Sequence, residues 1–160
     1  MADASAYERG QIESLLQPRA DSPIEGGVGL FLCPERPWYT RVYNAAVAPA
    51  LKENGVNLTA VRPVFGSLSD LTSVAAWVMR AEVIVADASE PNADLMYVLG
   101  LCHGLRRCPI LLVRRPLDLP FNLAALRHVE YEGTDDGLLG LRESLTRAVR
   151  VFLTAARGPT

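Results

Sequence analysis

From Val28 onward the chain alternates short apolar runs with longer stretches in which apolar residues recur every three or four positions. "VGLFLC", "EVIVAD" and "PILLVR" are continuous apolar runs of strand length, the pattern of strands buried on both faces of a parallel sheet. "VNLTAVRPV", β-branched and placed after a helix-ending Gly55, and "RHVEYEG" read as two further strands. Helical spacing predicts a helix over Trp38–Asn54 and another from Ser69, an N-cap followed by Asp70, with Leu71, Val74, Ala75 and Val78 on one face. Ala93–Leu105 is apolar almost all round, as a deeply buried helix should be. The last helix is predicted to begin after Thr134, with Leu138, Leu141, Leu145, Val149 and Phe152 along one stripe. Pro49 lacks a donor and crowds the preceding turn, so the first helix should bend near Ala46.

This strict alternation predicts an α/β fold: one doubly wound, Rossmann-like sheet of five parallel strands flanked by helices, spanning residues 28–157. Residues 1–27 form an N-terminal arm outside the core, a short helix over Ala6–Leu16 and then the breaker-rich "QPRADSPIEGG". In such a sheet a ligand lies beyond the carboxyl ends of the strands. Those ends are Cys33 and Pro34, Val64 to Ser67 including Gly66, Asp87 to Pro91, and Arg114 with Arg115.

Composition narrows the function. With 160 residues, 49% apolar and 21% charged, the chain can bury one substantial core but has no room for a second catalytic domain. The net charge of −2 comes from interspersed acids and bases, so the basic stripe of a nucleic-acid binder is missing and no nucleic-acid partner is expected. The opening "MADASAYERGQIESLL" has acids and no apolar leader, and no segment approaches the roughly 18 uninterrupted apolar residues of a membrane span. A cytoplasmic protein with no membrane partner is expected. Cys33, Cys102 and Cys108 cannot all pair with one another and show no CxxC spacing, which predicts reduced thiols. Adjacent helical residues Cys102 and His103 point in different directions, so no metal is expected. "LCPERPW" after the first strand contains no glycine, which excludes a GxGxxG turn or a phosphate loop there and predicts no dinucleotide or other cofactor.

Several residues at the strand ends carry two readings. Asp87 either contacts a ligand or binds the amides of "ASEPN". Asn92 is explained by capping the following helix, and Asp94 by the preference for an acid in a first helical turn. Glu90 reaches the cleft only if its loop curls; otherwise it is a solvated acid. Arg114 and Arg115 present guanidinium forks that suit a phosphate, or else form a solvated edge. Trp38 and Tyr39 offer flat faces to a nucleobase, with core packing the alternative for Trp38.

Three stretches, "FLCPERPWYTRVYNAAVAPALKENGV", "VIVADASEPNADLMYVLGLCHGLRRCPILLV" and "DLPFNLAALRHVEYEG", resemble in order the nucleoside 2-deoxyribosyltransferase-like family, a flavodoxin-like relative of TIR domains. The similarity spans about Val28 to Arg150. The resemblance implies that Asp87 orients the sugar or the catalytic group, and that Asn92 matches the first Asn of the family's "NPN" element while Asp94 replaces the second. It also implies a catalytic glutamate at the position held here by Val98. Valine supplies neither a nucleophilic lone pair nor negative charge, and glycosyl transfer through an oxocarbenium-like transition state needs a placed carboxylate.

The expectation is therefore a catalytically degenerate member that binds a nucleoside or nucleotide for sensing, regulation or assembly, through Cys33, Pro34, Gly66, Asp87, Asn92, Asp94 and Arg114. Two alternatives stand beside it. One is an active deoxyribosyltransferase or nucleotide N-glycosidase using Asp94, Glu90 or a neighbouring subunit's carboxylate. The other is a scaffold that self-associates through the arm or the helix around Tyr97, since the resemblance implies a homodimer or larger homo-oligomer.

Overall fold

The computed structural model describes residues 24–60, 68–90, 92–116, 126 and 128–157. The helix predicted over Ala6–Leu16, together with Gly66, Pro91 and the rest of the strand end from Val64 to Ser67, lies outside the described residues, and of Leu71 only the backbone is described. In chain order the elements are β1 (Glu25–Leu32), α1 (Pro37–Val42), a π-helical segment (Tyr43–Val47), α2 (Ala48–Glu53), β2 (Asn57–Ala60), α3 (Leu68–Arg80), β3 (Ala81–Asp87), α4 (Ala93–Gly104), β4 (Ile110–Arg114), β5 (His128–Tyr131) and α5 (Asp135–Arg157).

All strand pairings are parallel, and the strands lie in the order β2-β1-β3-β4-β5. A parallel sheet covered on both faces by helices is the architecture that the apolar runs predicted. Alternation along each strand divides the core in two. Phe31, Val83, Val85 and Leu112 face α1, the π-helical segment, α2 and α5. Leu30, Leu32, Ile84 and Leu111 face α3 and α4.

Strand β1 starts at Glu25, so the boundary expected between residues 27 and 28 falls inside it. Pairing needs backbone groups and not apolar side chains. Glu25 pairs with Ala81, the Gly27 amide donates to Glu82 Oε2 at 2.6 Å, and Gly27 at φ +79° lies within the register shift between Glu25 and Gly29.

The first helix accommodates Pro49 by the π-helical segment, which contains Ala46, where a bend was predicted. The Ala48 amide donates to Tyr43 O, five residues back, and this wider turn lets the helix continue past a residue with no amide hydrogen. Gly55, at φ +73°, ends α2 with paired bonds from its own amide to Lys52 O and from the Val56 amide to Leu51 O, both 3.0 Å. In α5, Leu138, Leu141, Leu145 and Val149 are buried as the stripe predicted; Leu153 completes the buried row, while Phe152 is only partly buried. Helix α4 is buried along Leu95, Val98, Leu99 and Cys102, but Ala93, Asp94, Tyr97, Gly100 and His103 are exposed, so it is a one-sided helix despite its apolar sequence.

Candidate functional site at the carboxyl edge of the sheet

Strand β3 delivers Asp87 to the carboxyl edge, where it is fully buried. Its Oδ1 accepts the Ser89 amide at 3.0 Å and the Ser89 hydroxyl, and its Oδ2 accepts the Tyr131 hydroxyl at 2.8 Å. Ser89 Oγ in turn accepts the Arg114 amide at 2.8 Å, and Trp38 Nε1 donates to the Tyr131 hydroxyl at 3.3 Å. One carboxyl therefore ties together the ends of β3, β4 and β5 and the start of α1. Burial raises the Asp87 pKa above its ordinary value, against the pull of the Ser89 and Tyr131 hydrogen bonds and of Arg114. Burial, followed by the charge of Asp87, raises the ionisation of Tyr131 as well.

One reading of Asp87 rested on its place at a strand end and the other on the amides of the loop after it. The structure shows it binding the Ser89 amide and hydroxyl, with Tyr131 as a third partner. Three of roughly four lone-pair positions on the carboxyl are thus occupied within the protein.

The other sequence candidates are distributed around this network. Cys33 and Pro34 are buried at the end of β1. Asn92 caps α4, its Oδ1 accepting the Leu95 amide at 2.8 Å. Asp94 is exposed in the first turn of α4. Val98, one turn further on, is fully buried in the apolar cluster with Leu32, Ile84 and Leu95. Glu90 lies between Arg36 and Arg114, with nitrogen–oxygen separations of 3.8 and 3.7 Å. Arg115 instead pairs with Glu130.

Trp38 is a half-buried part of this edge. Its ring has the Arg41 guanidinium at 5.7 Å and the Arg114 guanidinium at 5.1 Å from its centroid, and a Cβ at Gly133 would sit 3.8 Å from the ring carbons. Two cations and the β5–α5 turn therefore pack around this aromatic, which is itself partly buried against the core cluster of α1 and α5.

Sequence reasoning missed Ser89, Tyr131, Arg36 and the hydroxyl of Tyr39. A serine two residues after a strand-end aspartate is a local signal for a side-chain turn. Tyr131 gave no such signal, since its contact with Asp87 depends on strand order. The Tyr39 hydroxyl is buried and, among the described residues, has no hydrogen-bond partner. Its ionisation is pushed up by burial first, then by Asp87 and Glu90.

Among the described residues no group of three or more His, Cys, Asp or Glu side chains could hold a metal, and no helix is long and apolar enough to cross a membrane. A groove of about 600 Å³ lies between α2 and α5, lined by Asn44, Ala48, Pro49, Lys52, Glu53 and Arg142. It is open, and its Glu53 and Arg142 are already paired, so the strand ends are the better candidate.

The 2-1-3-4-5 order of parallel strands with helices on both faces defines a flavodoxin-like α/β domain. Solved structures share this fold at low identity. The flavodiiron protein from Giardia intestinalis superposes with a TM-score of 0.57 at 12% identity, covering 82% of this chain and 38% of its own. A point mutant of the flavo di-iron protein from Thermotoga maritima gives 0.59 at 9%, covering 94% and 41%. The lysine decarboxylase LdcF from Francisella novicida gives 0.52 at 10%, covering 84% and 18%. The chain thus spans less than half the length of each of these proteins. No protein family model matches the chain, and no curated protein matches it.

Proposed function

We propose that this domain is a catalytically degenerate relative of the nucleoside 2-deoxyribosyltransferase-like family that binds a nucleoside or nucleotide at the carboxyl edge without cleaving it. The observation that carries the reading is Val98. The position where the resemblance demands a catalytic carboxylate is filled by a hydrocarbon packed wholly within the core. Around it, Asp94 is exposed on the helix surface and Glu90 is engaged by two arginines, so neither stands in for the missing group without rearrangement. The fold supports a ligand at this edge, since in a doubly wound sheet the crevice opens beyond the strand ends next to the reversal of strand order, here between β1 and β3. A flavin is not part of the proposal. The β1–α1 turn holds Pro34 and α1 opens on Pro37; neither has an amide hydrogen to offer a phosphate, and the turn contains no glycine.

Incubation of the purified chain with deoxynucleosides, nucleoside monophosphates and NAD, followed by chromatography, should return every substrate intact. Free base produced at enzyme-like rates would overturn the proposal, and loss of that activity in Asp94→Ala or Glu90→Ala would transfer the chemistry to those carboxylates. The same reading has the domain self-associating, with α4 presenting the exposed ring of Tyr97. Light scattering that gives a monomer at every concentration, for the full chain and for a chain beginning at Ile24, would remove that part.

A further inference from the structure

Two guanidinium groups converge on one carboxylate at the carboxyl edge of the sheet. Arg36, in the β1–α1 turn, holds Nε 3.8 Å from one oxygen of Glu90; Arg114, at the end of β4, holds Nη2 3.7 Å from the other. Both separations lie beyond hydrogen-bond range, so charge alone couples these groups. Elsewhere the arginines close on their acids, as Arg80 does on Glu25 and Arg157 on Glu82, each at 2.7 Å. A single negative charge stretched between two cations is an under-matched anion. A phosphate monoester, near −2 at neutral pH with three acceptor oxygens, matches two guanidinium forks better.

A second observation points to the same place. The Tyr39 side chain, one helical turn after Arg36, is 2% exposed, and its hydroxyl is left without a hydrogen-bond partner among the described residues. After burial, the charges that act on that hydroxyl are Asp87 first, then Glu90, and Arg114 in the opposite sense. A buried donor with no acceptor is a cost a fold rarely carries unless something else supplies the partner. Arg114 is also steadied for such a role, because its guanidinium packs on the Trp38 ring and its amide is held by Ser89.

We propose that Arg36, Arg114 and Tyr39 form a phosphate subsite in which Glu90 is the resident anion, displaced when the phosphate of a nucleoside monophosphate arrives. This inference rests on the nucleotide-binding reading above and narrows its ligand class to phosphorylated members. Glu90 then acts as a built-in competitor that sets a threshold for binding.

The test is calorimetric titration of the full chain with three probes: deoxyadenosine 5′-monophosphate, deoxyadenosine and inorganic phosphate. The monophosphate should bind about tenfold or more tighter than deoxyadenosine. Glu90→Gln keeps the side chain's shape and removes its charge, and should tighten monophosphate binding roughly fivefold while leaving deoxyadenosine unchanged. Arg36→Gln should weaken the monophosphate about tenfold with little effect on the nucleoside, and Arg114→Gln should weaken the monophosphate at least as much. A gain of affinity in Glu90→Gln cannot come from misfolding, which keeps the result interpretable. If Glu90→Gln leaves monophosphate binding unchanged or weaker, the subsite is wrong even where deoxyadenosine binds and the broader reading survives. If Glu90→Gln strengthens inorganic phosphate while the nucleotide binds no better than inorganic phosphate, the anion subsite stands and the nucleoside reading falls. Absence of binding by all three probes to both proteins overturns both.

Discussion

The Tyr131 hydroxyl donates to Asp87 Oδ2 at 2.8 Å across the width of an intervening strand, joining residues 44 apart in sequence. Strand β4 lies between their strands, and its last residue, Arg114, is drawn into the same network through Ser89 Oγ. The carboxyl edge is therefore fixed by a buried polar clasp and not by loop packing alone. The charged groups Arg36, Glu90 and Arg114 are arranged around it.

Breaking the clasp should cost stability in proportion to the partners stranded. Tyr131→Phe leaves Asp87 Oδ2 and Trp38 Nε1 short of a partner and should destabilise by about 1–2 kcal/mol. Asp87→Ala strands the Ser89 amide and both hydroxyls and should cost about 2–4 kcal/mol. Urea unfolding of the two variants and their combination should show a double variant less destabilised than the sum, because the groups share one network.

Asp87 also predicts a pH dependence. Burial raises its folded pKa above the ordinary 3.8, so its contribution to stability is fully present below that value and is lost as pH rises through the folded pKa. The margin of the wild-type chain over Asp87→Asn, read from urea midpoints, should shrink as pH rises from about 4 toward neutrality. A margin that widens with pH would show that the hydrogen bonds outweigh burial. The acids Glu25, Glu53, Glu82 and Glu130, whose pKa values are lowered chiefly by hydrogen bonds from arginines, lose their contribution as pH falls, and do so equally in both proteins.

Val98→Glu introduces a carboxyl into the cluster formed by Leu32, Ile84, Leu95 and Leu99. With no partner there, an ionised side chain should destabilise by several kcal/mol, and the variant should gain no glycosidic activity. Thermal unfolding together with base release from deoxynucleosides measures both. A stable, hydrolytic variant would show that the core at this position opens onto the cleft.

Arg106 follows α4 at φ 55°, the left-handed position where a helix commonly ends in glycine. Its amide reaches His103 O at 3.0 Å, and the Arg107 amide reaches Cys102 O at 2.8 Å, so the cap is formed despite the Cβ. Arg106→Gly should therefore stabilise the chain by roughly 0.5–1 kcal/mol, seen as a higher denaturation midpoint.

The elements were legible in the sequence because periodicity is a local property. "EVIVAD" and "PILLVR" could satisfy their hydrophobicity only as strands covered on both faces, Gly55 could end a helix without strain, and Pro49 had to disturb the turn before it. The turn-forming role of Asp87 and the capping role of Asn92 were readable for the same reason, since each bonds to an amide two or three residues away. Tertiary structure alone decided the rest. Whether Tyr131 meets Asp87, whether Arg36 and Arg114 share Glu90, and whether the Tyr39 hydroxyl is left unpartnered depend on strand order and register across the sheet. Nothing in the spacing of residues along one strand encodes which other strand will lie beside it.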